Sequence, residues 1–227
     1  MALAKDTEQW LADMLQIMDG DDGKKTEKQL KIIQAAIEIF SEKGYSAAST
    51  SEIAQRAGVA EGTIFRHYKT KKDLLLSIVG PILAKTVAPV FMRDFAKLLD
   101  LPYARIEDFY KTVLRDRLDF ARKNAKILRI VIQELPFHPE LLGQVRIMFS
   151  EYVFERVKRV YTHFQEQGQL IEAPSFRMIR FSVTTIVGMV LTHALLFPEI
   201  PIDDEEEIDW TIDALLHGIA SRSHTET

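Results

Sequence analysis

The stretch Ser49-Thr-Ser-Glu-Ile-Ala-Gln-Arg-Ala-Gly-Val-Ala-Glu-Gly-Thr-Ile-Phe-Arg-His-Tyr68 decides the fold. Ser49 with Glu52 has the spacing of a capping box, which opens a helix. Gly58 closes that helix, because glycine takes the left-handed conformation at helix ends without strain. A second short helix is expected from Glu61 to His67. Ile53, Ala54, Ala57, Val59, Ile64 and Tyr68 form a small apolar set, and the two alanines let the helices cross closely. This is helix-turn-helix geometry, in which the second helix enters the DNA major groove.

Glu61, Gly62, Thr63, Phe65, Arg66 and His67 face away from that apolar set. Thr63 and Phe65 suit a thymine methyl or the sugar-phosphate wall, and Arg66 offers a fork to guanine or phosphate. Lys69, Lys71 and Lys72 follow at the next helix start, where cations and backbone N–H groups together attract phosphate. Ile64 and Tyr68 read as core and Tyr45 as a packing residue. Glu61 suits a helix N-terminus or an acceptor for cytosine.

Working outward, Thr26 with Gln29 opens a helix whose stripe is Ile33, Ala36, Ile37 and Phe40, ended at Gly44. Thr70 with Asp73 opens another helix running toward Thr86. Longer helices are expected over 106–123, 125–135, 140–167, 175–197 and 205–222, and an additional one over 1–18 around Trp10. Pro102, Pro136, Pro139, Pro174, Pro198 and Pro201 fall between them, and a kink or break is expected near Pro81 and Pro89.

The pattern Phe40-x-x-x-Gly44-Tyr45, Thr50-x-x-Ile53-Ala54-x-x-Ala57-Gly58-Val59, Gly62-Thr63-Ile64-Phe65-x-His67-Tyr68, Lys71-x-x-Leu74 strongly resembles the TetR family of regulators. The resemblance implies an all-α chain. An N-terminal three-helix bundle with the helix-turn-helix (24–72) would precede a larger helical ligand-binding and dimerisation domain (73–227), with 1–23 as an extension. It also implies DNA contacts by Thr50, Ser51, Glu61, Gly62, Thr63, Phe65, Arg66, His67 and Lys71. Ala60 and Phe65 depart from the family, which often has Ser and Tyr there. Each missing hydroxyl removes a cap or a phosphate bond.

Net charge is −4, which on its own argues against a nucleic-acid partner. The distribution reverses that reading. Residues 1–23 carry −5, residues 24–72 carry +5, and the remainder carries −4. A basic block on an acidic body is the electrostatic footprint of a DNA-binding module. There is no cysteine, which fits a reducing, cytoplasmic compartment and excludes thiolate metal sites. No metal or cofactor is expected. The 18 uncharged residues from Phe181 to Pro198 touch the lower length limit for a membrane span. Ser182, Thr184, Thr185, Gly188, Thr192 and His193 favour a helix packed on protein.

Phe181, Thr185, Gly188 and Thr192 share one helical stripe, and Ile208, Ile212, Leu215 and Ile219 another. Two such helices per subunit are expected to build a four-helix homodimer interface. A hydrophobic effector pocket is expected among Phe91, Phe95, Phe109, Phe120, Ile130, Phe149, Tyr152 and Met178, with Arg129, Gln133, His163 or His193 as a polar anchor. The expected function is a repressor released from a palindromic operator by an apolar or acyl-like effector. The alternatives are an activator, an interaction protein that retains the module, or an all-helical enzyme. The last finds no nucleophile elbow, phosphate loop, HExxH or paired-carboxylate motif.

Overall fold

The structure, a computed structural model, describes residues 26–84 and 87–219. The expected helix over 1–18 lies outside these residues. Every regular element among the described residues is helical.

Two compact units emerge. The first holds the described residues up to Phe95 together with Lys123–Tyr152. Here α1 (Glu27–Ala47) starts with a reciprocal cap: the Gln29 N–H donates to Thr26 Oγ1 and the Thr26 N–H to Gln29 Oε1. Its stripe of Ile33, Ala36, Ile37 and Phe40 is fully buried. At Gly44 φ is 77° and ψ 161°, a conformation essentially reserved for glycine, and the helical path kinks there. α2 (Thr50–Ala57) begins with the Ser49/Glu52 capping box and ends at Gly58 in the left-handed region, φ 68°. α3 (Glu61–His67) and α4 (Lys71–Ala84) follow, the latter capped by Thr70 and Asp73. α7 (Ala125–Glu134) buries Ile127, Ile130 and Val131 in the same core as α1 to α4. α8 (Pro139–Met148) completes the unit. It starts at proline, where the missing N–H has no intrahelical partner to lose.

The second unit spans 96–122 and 153–219. It contains the end of α5 (Val87–Leu99), nearly all of α6 (Ile106–Lys123), α9 (Glu155–Glu166), α10 (Ser175–Leu191) and α11 (Asp204–His217). Tyr103, Phe109, Tyr110 and Tyr161 pack edge to face, with centroids 5.4–6.4 Å apart. The Tyr110 hydroxyl donates to the Tyr161 hydroxyl at 3.0 Å and lies 3.0 Å from Ser182 Oγ, joining α6, α9 and α10. Burial pushes both tyrosine hydroxyls upward in pKa. Lys111–Asp209, Arg115–Glu205 and Arg122–Asp204 ion pairs tie α6 to α11.

Four expectations need correction. Helix α5 forms where no element was expected, with Pro89 in its first turn, where a missing donor does least harm. The single helix expected over 140–167 is two, joined by a wide π-type turn at Phe149–Phe154. A similar turn at Thr192–Leu196 extends α10. The last helix stops at His217 instead of Arg222, because Gly218 turns the chain at φ 77°.

Candidate nucleic-acid interface

The reading head is built by a tightly packed α2–α3 corner. Ile53, Ala54, Ala57, Ile64 and Tyr68 are buried, leaving the opposite side of α3 to solvent. Glu61, Gly62, Phe65, Arg66 and His67 are exposed and Thr63 is half-buried, so the expected recognition residues share one open face. Thr50 Oγ1 donates to Glu61 Oε1 at 2.6 Å, pinning the start of α3 to the start of α2. Ser51 is exposed beside them, its hydroxyl 3.2 Å from that of Ser49. Ala60 precedes α3 with no side-chain cap.

Electrostatics sharpen the face. Arg56 is paired with Glu38 and Glu42, and Lys43 with Glu52. The Lys43 ammonium holds the Glu52 carboxyl below its usual pKa. Arg66 and Lys69 are exposed and have no ion-pair partner among the described residues. Lys43 and Arg56 are thus neutralised locally, whereas Arg66 and Lys69 leave positive charge available at the end of α3.

Lys71 is placed differently from a freely projecting cation. Its ammonium donates to the carbonyls of Tyr45 (2.7 Å) and Ala48 (2.8 Å), with Ser46 O at 3.4 Å, and lies 4.4 Å from the Tyr45 ring centroid. Charge in the sequence announced this residue, but not its partners, which depend on the Gly44 turn.

The expected pocket residues are distributed over both units. Ile130 is core beneath α1, Phe95 and Phe109 are buried, and Phe120 lies under the Arg117 guanidinium at 4.9 Å. Phe149 and Tyr152 are half-buried, and the Phe91 side chain lies outside the described residues. Met178 lines a cleft of about 560 Å³ with Ile106, Tyr110, Leu170, Phe181, Leu215 and Leu216, rimmed by Arg105, Arg177 and His217. Of the polar anchors, His163 contacts Gln167 and His193 contacts Glu207, while Gln133 Oε1 stands 3.6 Å from where a Cβ on Gly44 would lie. Arg129 is partly buried.

On α10, Phe181 and Gly188 are exposed and Thr185 and Thr192 half-buried. The Thr184 and Thr185 hydroxyls donate to Phe181 O, which makes the face less polar. On α11 the stripe divides. Ile208 and Ile212 are buried in their own subunit, Leu215 lines the cleft, and Ile219 lies past the helix end. Besides Phe181, the outward apolar residues of these two helices are Trp210 on α11 and Phe176 and Val187 on α10. They fall between the apolar stripes, so periodicity hid them.

A corner of two short helices presenting an open polar-cationic face defines a helix-turn-helix DNA reader. The sequence pattern described as "Bacterial regulatory proteins, tetR family" matches residues 32–78. Residues 32–78 are thus a helix-turn-helix module of the TetR type. It is 46% identical over 55 residues to the fatty acid metabolism regulator protein of Bacillus subtilis, a match covering 24% of this chain and only 28% of that relative. It is 24% identical over 202 residues to the transcriptional activator FasR of Mycolicibacterium smegmatis, covering 86% of this chain and 84% of FasR. The fold is that of FadR from Bacillus subtilis, solved in complex with stearoyl-CoA, with a TM-score of 0.58 and 22% identity, covering 84% and 99% of the two chains. These proteins are regulators and not enzymes.

Proposed function

We propose that this protein is a homodimeric, acyl-coenzyme A-responsive repressor of a palindromic operator, acting in the cytoplasm where the chromosome lies. The observation that carries DNA reading is the open face of α3. Thr63, Phe65, Arg66 and His67 leave the folded core unencumbered, and Arg66 has no ion-pair partner among the described residues to surrender. Thr50 and Ser51 stand at the head of α2 as phosphate anchors. Two such heads spaced by one DNA turn, about 34–36 Å, require a two-fold dimer. The exposed apolar face of α10 and α11 suits that role.

The effector class rests on the resemblance to a fatty acid metabolism regulator and to a fold solved with stearoyl-CoA. The cleft around Met178 has the size and the apolar floor of a small-molecule site, and its arginine rim suits an anionic head group. Binding there would favour a dimer whose heads no longer match the operator. The likeness to FasR over most of the chain favours a second reading, in which the protein activates transcription.

Titration of labelled palindromic DNA from upstream of the gene tests this reading. Binding should be salt-dependent and sequence-preferring, Arg66→Ala should weaken it about tenfold or more, and stearoyl-CoA should release the DNA. Equal affinity for scrambled DNA would sink it.

A further inference from the structure

A lysine at the start of α4 would ordinarily be given to the DNA backbone, and the geometry points elsewhere. The reversed backbone at Gly44 sends the chain out of α1, so carbonyls beyond it lose regular helical partners. Those of Tyr45 and Ala48 converge at 2.7 and 2.8 Å on one ammonium, with Ser46 at 3.4 Å. An ammonium has three donors and no acceptor, so its donor count matches this cradle. The Tyr45 ring, 4.4 Å away, covers the group on another side. Tyr45 is itself held in place by Phe40, with ring centroids 5.6 Å apart.

We propose that Lys71 is an intramolecular clamp, binding the first turn of α4 to the α1–α2 connection, and not a phosphate contact. It is a positioning residue: it touches no base, yet it fixes where α4 leaves the reading head. A displacement of α4 then carries the Gly44–Ala48 turn, and through Ser49 the start of α2, along with it. This last step rests on the effector-controlled reading above, whereas the clamp itself does not.

Two measurements test it on the full chain. The first is lysine acetylation of free wild-type protein, read residue by residue by mass spectrometry, without DNA or effector. Lys71 should label about tenfold more slowly than exposed Lys69, as expected for a group held by charge-assisted hydrogen bonds. Equal labelling overturns the clamp. Protection that appears only when operator DNA is added identifies a phosphate contact and also overturns it.

The second compares Lys71→Met, Lys71→Arg and wild type for operator affinity across a salt series, with and without stearoyl-CoA. The clamp predicts an unchanged salt slope and a reduced effector-induced change in affinity. A planar guanidinium does not fill a three-carbonyl cradle, so Lys71→Arg should fail as Lys71→Met does. A slope smaller by about one unit per subunit in Lys71→Met, restored by Lys71→Arg, overturns the proposal. An intact effector response in both variants overturns the transmission step alone. If Lys71→Met does not fold, the labelling comparison still decides, and a wild type without operator binding refutes the regulatory reading while leaving the clamp scored.

Discussion

Ala60 leaves the N–H groups at the start of α3 without a side-chain acceptor, although its backbone is already in the extended conformation of a capping residue, φ −71° and ψ 143°. Only the hydroxyl is lacking. Ala60→Ser should therefore stabilise the protein by about 1 kcal/mol, measured as a rise in the denaturant midpoint with an unchanged slope. No gain would mean that α3 derives its order entirely from Ile64 and Tyr68. Residues whose roles follow from local chemistry were legible in the sequence: the capping pairs, Gly58, Ile64 and Tyr68 all stand where their types require. Lys71 was not, because its partners are created by a kink more than twenty residues away. The same limit applies to Glu61, whose carboxylate is engaged by Thr50 across the turn. An acid on a reading helix is easier to place near DNA when a hydroxyl already holds it.

α3 has seven residues and could not persist alone, so the reading surface is a property of the corner and not of the helix. The long helices were legible wherever a cap and a 3.6-residue stripe coincide. α5 escaped because prolines near its start suggested a break. The π-type turns escaped because an inserted residue leaves no mark in composition. α11 depends on charges that only the fold brings together. Hydrogen bonds from Arg122 and Arg115 hold the Asp204 and Glu205 carboxyls below their usual pKa values, which are 3.8 and 4.5 when unperturbed. A folded-state pKa below the unfolded one gives stabilisation that is complete above the unfolded value and is lost as pH falls through the folded value. The protection of α11 amides against hydrogen exchange, taken relative to the intrinsic rate at each pH, should therefore stay constant between about pH 5 and 7 and fall as pH drops below about 4. High salt should act in the same direction, because these pairs are solvent-exposed. Protection that is constant across this range would assign the stability of α11 to its buried Ile208 and Ile212 alone.

For the whole molecule, an acidic total hides a cationic reading end, and one apolar face awaits explanation. The helical stretch Ser175–Leu196 contains an 18-residue window long and apolar enough by composition for a membrane span, with a third of that window buried within the chain. Phe176, Phe181, Val187 and Trp210 remain open to solvent. The homodimer proposed above would cover this face, because two reading heads need a two-fold axis and Gly188 lies exposed on it, where helices could approach closely. Gly188 separates the fold from the assembly. A Cβ at this position meets nothing within 4 Å in its own subunit, and its φ lies outside the region that disfavours a side chain. Gly188→Leu should leave the subunit as stable as before, or more so by about 0.5–1 kcal/mol, since glycine weakens a helix interior. The same side chain would hold two α10 helices apart. Sedimentation velocity should then show monomer at concentrations where wild type is dimeric, and operator binding should fall to the strength of one head. A variant that remains dimeric with wild-type DNA affinity would move the interface off this face. It would also leave Phe181 and Trp210 exposed for some other reason.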